Sequence, residues 1–132
     1  MRFLAIPTAA LALAGCSSGL VRPVHEVTAR AGADGVQRVT LTAHSFYFEP
    51  SRIVVRARVP VELAVHNAAW LTPHDFICDA PEGGIRVRKP LSWLHGTRRV
   101  RFIPTRPGEY PFYCGVDAHM RKGMTGTIVV VP

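Results

Sequence analysis

Three residues near the C-terminus carry donor atoms at a spacing that suits a metal. Cys114 closes the run Tyr110-Pro111-Phe112-Tyr113-Cys114, His119 follows five residues later, and Met124 five later again. A thiolate, an imidazole and a thioether on one short loop are donors of mixed softness, and a fourth must come from elsewhere. His74, directly after Pro73 at the start of another apolar segment, is the best candidate. Two imidazoles and a thiolate in a plane, with a weak thioether on the axis, suit one copper ion per chain cycling between Cu(I) and Cu(II). The thiolate binds both oxidation states and the imidazoles tolerate both. A fixed geometry between the two preferences keeps reorganisation small, which favours electron transfer.

Those side chains must be held by other elements, and most of the chain reads as strands. Segments 36–44, 52–57, 61–67, 74–78, 97–103 and 109–114 alternate apolar and polar residues, and 127–131 is a β-branched apolar run. Period two, with Gly and Pro between segments, predicts an all-β antiparallel sandwich or barrel. At 132 residues the chain is long enough for one ordinary domain, and 36–132 is that domain. Segment 80–94 resists assignment. It reads as a long crossover loop with a short helix near 91–94.

The ligand-bearing segments resemble the cupredoxins, the small type 1 copper proteins. Tyr113-Cys114, His119, Gly123-Met124 and Thr125-Gly126 match that family's ligand loop, and Asn67 with Pro73-His74-Asp75-Phe76 matches its upstream ligand region. The Cys-to-His-to-Met spacing is more similar to auracyanin and rusticyanin than to plastocyanin. The resemblance implies a Greek-key β-sandwich with copper between loops at one end, bound by His74, Cys114, His119 and axial Met124. It also implies a non-enzymatic electron carrier whose partners are redox proteins such as a c-type cytochrome or a terminal oxidase. An extracytoplasmic copper carrier or copper-tolerance protein is the alternative.

Two departures from the family pattern matter. Asp75 stands where the family often has Asn, and a carboxylate there would favour Cu(II). Met120 adjoins His119 and is a second thioether, but lacks the Gly-Met-x-Gly context of Met124. Asn67 reads as a turn residue or as a group orienting the ligand loops. Trp70 reads as loop packing or as a cover over the copper. Cys78 shares a face with Phe76 and is expected to be a buried, inert thiol. A disulfide to Cys114 would consume a ligand, so none is expected.

Other chemistries fit poorly. A binuclear copper centre needs a second Cys four positions from the first, and Ala118 and Tyr110 occupy those places. His25, His44, His66 and His95 show no clustered spacing for a second, catalytic copper. The net charge of +7 raises nucleic acid as a partner. The Arg residues, however, are scattered through alternating segments without a basic run, so a monomer that does not bind nucleic acid is expected. Its surface would suit an acidic protein or an anionic membrane.

The N-terminus reads as a targeting segment. Arg2 precedes a short apolar stretch over 3–13, and Leu13-Ala14-Gly15-Cys16 resembles the lipobox of bacterial lipoproteins. That resemblance implies removal of 1–15, a lipid on Cys16 and an extracytoplasmic, membrane-anchored protein at a periplasmic face or cell surface. Segment 16–35, with Gly19, Pro23, Gly32 and Gly35, reads as a flexible tether. Mass spectrometry of the N-terminal peptide from native membranes should find Cys16 as the first residue, carrying acyl groups. An unmodified Cys16, or cleavage elsewhere, would mean an exported protein without an anchor.

Overall fold

Alternation decides which face each strand buries. The structure, a computed structural model, describes residues 22–94 and 96–132. The segment expected to be a targeting signal, Cys16 with its expected lipid, and His95 lie outside them. Strand β1 spans Glu26–Thr28, β2 Arg30–Ala31, β3 Gln37–His44, β4 Tyr47–Glu49, β5 Arg52–Arg56 and β6 Val61–Asn67. Next come β7 (Asp75–Ala80), β8 (Ile85–Pro90), β9 (Gly96–Phe102), β10 (Gly108–Tyr113) and β11 (Thr125–Val131). In β3, Val39, Leu41 and Ala43 are buried while Arg38 and Thr40 face water. The same alternation buries Ile53 and Val55 of β5, Val100 and Phe102 of β9, and Tyr110 and Phe112 of β10.

The strands form two sheets, in the orders β1-β5-β11-β10-β7-β8 and β2-β3-β6-β9, with β4 paired to β3. Their inner faces enclose one core. At its centre Phe48, Phe76 and Phe112 pack ring against ring, with centroids 6.0, 5.4 and 5.1 Å apart. Such tilted and edge-on arrangements are the favoured aromatic geometries.

The sandwich is all-β and single-domain as expected, but not antiparallel throughout. β1 with β5, β11 with β5, and β3 with β6 pair in parallel. The chain crosses between sheets after β1, β4, β5, β6, β8 and β9, so sequence neighbours are often not sheet neighbours. Part of the expected tether is sheet: β1 pairs with β5 and β2 with β3. Glu26 is held there by an ion pair to Arg52 at 2.8 Å. Strands of two or three residues are too short to show a period. Segment 80–94 also departs from expectation. Ala80 ends β7, a 3₁₀ turn spans Pro81–Gly83, and β8 follows with Ile85 and Val87 inward. Residues 91–94 form no helix. The Leu91 N–H donates to the His74 carbonyl and the Ser92 carbonyl accepts from Asn67, so these groups are committed across the molecule.

The core tolerates no side chain at Gly126. It sits opposite Phe112 in the β10–β11 pairing, and an added Cβ would collide with that ring and lie 2.6 Å from the Ser51 carbonyl oxygen. Gly126→Ala should therefore lower folding stability by about 1–3 kcal/mol, the usual penalty of overpacking. Urea unfolding of the metal-free protein checks it, and an unchanged midpoint would show that the β11 backbone yields freely.

Candidate metal centre

The ligand loop is built by closing its neck. Tyr113 of β10 faces Thr125 of β11 in antiparallel register, and the Cys114 N–H donates to the Met124 carbonyl at 3.1 Å. Within the loop, the His119 N–H donates to the Val116 carbonyl and the Met124 N–H returns to the His119 carbonyl. A 3₁₀ turn, Met120–Lys122, ends at Gly123, whose φ of 96° is left-handed and suits glycine. The loop is thus a compact hydrogen-bonded unit rather than an open span.

β7 brings the remaining candidate from the neighbouring strand, where Tyr113 pairs with Ile77. Just before that strand, His74 is buried. Its Nδ1 lies 3.7 Å from Cys114 Sγ, and His119 Nδ1 lies 3.5 Å from the same sulfur. The three donor atoms lie within 4.8 Å of one another. His74 Nε2, on the far side of the ring, is buried without a hydrogen-bond partner among the described residues. Met124 is fully buried at the loop neck, whereas Met120 is 49% exposed.

Electrostatics prepare these groups for a cation. Burial, and then the neighbouring His119, lower His74 to about 4, so its imidazole is neutral at ordinary pH with a lone pair to give. Burial pushes the Cys114 thiol up, opposed by backbone N–H donation from Asp75 and Val116, while the Asp75 charge adds to the rise. A buried thiol of this kind ionises only against a positive partner. Copper fits the residues present: one thiol and two imidazole nitrogens converge with no carboxylate in the cluster, and a buried methionine closes the loop.

Asn67 and Asp75, expected to support the ligands, both bond backbone groups of nearby loops. Asn67, fully buried at the end of β6, donates to the carbonyls of Thr72 (3.2 Å) and Ser92 (2.5 Å) and accepts from the Ala69 N–H. It therefore ties the 68–74 loop to residues 91–94. Asp75 accepts the Gly115 N–H at 2.5 Å, and its own N–H points at Cys114 Sγ, 3.5 Å away. The carboxylate so fastens one ligand loop to the other, as an amide oxygen there would. Trp70 is 67% exposed. Cys78 is buried, and burial pushes its thiol up to about 12, in keeping with an inert role. His25, His44 and His66 join no metal-like cluster among the described residues.

Sequence reasoning missed Phe46. It sits in the turn between β3 and β4, with its ring edge-on to His119 at a centroid distance of 4.9 Å. No periodicity marks a turn residue, and the contact joins positions far apart in sequence. Trp93 and Leu94, 59% and 51% exposed, were also hidden in the unassigned segment.

The site makes two contrasts measurable. With Cu(II) the protein should show an intense visible thiolate-to-copper band, and Cys114→Ser should abolish it; a colour that survives would remove Cys114 from the centre. Met124→Leu should keep copper and raise the reduction potential, while Met120→Leu should change little. Voltammetry of the two variants checks this, and the opposite pattern would reassign the thioether.

Known proteins agree with this architecture. Residues 6–130 match the family described as a cupredoxin-like domain. No curated protein matches the chain by sequence. Among solved structures, the metal-binding domain of the Streptococcus pneumoniae Cu(I)-exporting P-type ATPase CopA superposes with a TM-score of 0.65. It shares 23% identity over 84% of this chain and 100% of that one. Reduced auracyanin from Roseiflexus castenholzii gives a TM-score of 0.61, with 17% identity over 72% and 97% of the two chains. Reduced rusticyanin gives 0.59, with 22% identity over 86% and 89%. At these identities the likeness is one of fold. With a family match over nearly the whole chain and this fold, the chain belongs to the cupredoxin-like proteins.

Proposed function

We propose that this protein carries single electrons between membrane-associated redox proteins, such as a c-type cytochrome and a terminal oxidase. The observation that carries the reading is the burial of the donors: Cys114 and Met124 are 0% exposed, His74 2% and His119 7%. A bound copper would supply a one-electron Cu(I)/Cu(II) couple there. The residues themselves keep water out, present the neutral His74 imidazole and fix the thiol by backbone and side-chain ties. Such a centre retains its metal while its charge changes. We further propose that the chain acts as a monomer, outside the cytoplasm, anchored through a lipid on Cys16.

The surface around the site supports docking of a protein. Met120 follows His119, and Trp70, Leu71, Trp93 and Leu94 are each more than half exposed on the two loops that Asn67 joins. An apolar rim of this kind suits brief association near an imidazole edge. Arg88 and Lys89 of β8 and Arg98 of β9 form no ion pair among the described residues, and their strands lead into the loop bearing Trp93. Unpaired cations beside an apolar rim would steer an acidic partner.

The second reading is a copper carrier or copper-tolerance protein of the same compartment. It is favoured by the likeness in fold to a domain described as the metal-binding domain of a Cu(I) exporter. Exchange of copper between proteins calls for donors open to a partner, whereas here the donors are buried.

Stopped-flow mixing of the reduced, copper-loaded protein with an oxidised acidic c-type cytochrome separates the two. Electron transfer should proceed at roughly 10⁵–10⁷ M⁻¹s⁻¹, slow as salt is added, and leave copper on the protein. Sluggish electron exchange together with ready copper transfer to an apo-acceptor would establish the carrier instead.

A further inference from the structure

The turn between β3 and β4 holds an aromatic residue where the backbone favours glycine. Ser45 and Phe46 join His44 to its cross-strand partner Tyr47. Phe46 has φ = 69°, in the left-handed region where residues without a bulky side chain are usual. A strained aromatic persists only when its surroundings over-determine it, and such residues cluster at functional sites. Here the ring is gripped on two sides by the ligand loop. The His119 imidazole meets it edge-on, with interplanar angle 66° and centroids 4.9 Å apart. The Lys122 ammonium lies 3.9 Å from its centroid, within the range of a cation–π contact. His119 precedes the 3₁₀ turn of that loop and Lys122 is its last residue, so one ring meets both its ends.

The remaining ties on the loop are backbone hydrogen bonds at its neck and within its turn, together with the Asp75 carboxylate on Gly115. These fix the course of the chain, and none of them touches the imidazole itself. Besides the contacts with Cys114 Sγ and with His74, the ring packing recorded for His119 is with Phe46.

We propose that Phe46 is a positioning residue for the metal centre. Clamped between His119 and Lys122 at a left-handed backbone angle, it holds the His119 imidazole toward the Cys114 sulfur. The strain of the turn is what allows the ring to reach that place. Lys122 is part of the clamp: its ammonium holds the ring from outside and draws the end of the 3₁₀ turn onto it. The inference goes beyond the question of electron carrier or copper carrier, since it concerns how the centre keeps its shape and its metal.

Glycine at position 46 separates this role from packing, because it relieves the backbone while removing the ring. The copper-loaded Cu(I) protein is mixed with excess bathocuproine disulfonate and the rate of copper loss is followed. The melting temperature of the metal-free protein is measured in parallel, and the visible spectrum of the Cu(II) form is recorded. Phe46→Gly should melt at or above the wild-type temperature without metal, yet lose copper at least tenfold faster and show a shifted or weakened visible band. Phe46→Tyr should restore slow release, Phe46→Leu should not, and Lys122→Gln should fall between. Equal retention by Phe46→Leu and Phe46→Tyr would overturn the proposal, since bulk alone would then suffice. So would wild-type retention by Phe46→Gly, or an unfolded or less stable metal-free Phe46→Gly, since the ring would then serve the fold. Failure of the wild-type protein to bind copper would instead refute the metal assignment.

Discussion

The hydrogen bond between the Cys114 N–H and the Met124 carbonyl closes the ligand loop at its neck, and the rest of the site depends on it. It continues the β10–β11 ladder by one step beyond Tyr113 and Thr125, so the loop is rooted in the pairing of two core strands. Chain leaving Cys114 must therefore return to Met124, and the intervening residues have room for little but a tight turn. That turn puts His119 over the sulfur. The ladder is in turn held by the burial of Phe112, Ile128 and Val130, each 3% exposed or less. The position of the donors is thus a consequence of core packing, transmitted through backbone hydrogen bonds that cannot shift singly.

A buried polar group is costly unless it is satisfied, and this protein uses that cost to join loops. Asn67 has no exposure, and its amide bonds three backbone groups drawn from two loops. Removing it would leave those groups unpaired in the interior. Half-buried Asp75 also joins segments, its carboxylate accepting the Gly115 N–H, with the difference that its charge lies beside a thiol that must ionise to bind metal. That charge opposes ionisation and favours the more positive metal, so position 75 couples the joining of the loops to the chemistry of the centre. The His74 imidazole is kept neutral by burial where a solvated ring would be partly protonated in mild acid.

Much of the sandwich was legible because its core strands are half-buried and alternate. Val39 and Leu41, Val61 and Leu63, and Val100 and Phe102 declared their inward face by period two alone. β8 was less legible, because an Arg-rich edge strand bounded by Gly84 and Pro90 presents only Ile85 and Val87 to the core. β1 and β2 were hidden among glycines in what read as a tether, since strands so short are stabilised by partners and not by their own pattern. The parallel pairs were invisible for a related reason. Alternation reports which face a strand buries and says nothing of the strand beside it.

The sequence by itself determined the class of fold, the donor types, and the thiol, imidazole and thioether of one loop, because those rest on local spacing. It also pointed to His74 through its place at the start of a strand, and to Asn67 through the resemblance of its region to the cupredoxins. Tertiary structure alone decided that His74 Nδ1 and His119 Nδ1 face the same sulfur, that Met124 is buried while Met120 meets water, and that Phe46 lies against His119. Each of these joins residues from different strands or sorts near-identical neighbours by burial. Such facts depend on how two sheets pack, and that packing is set by the whole core rather than by any segment of the chain.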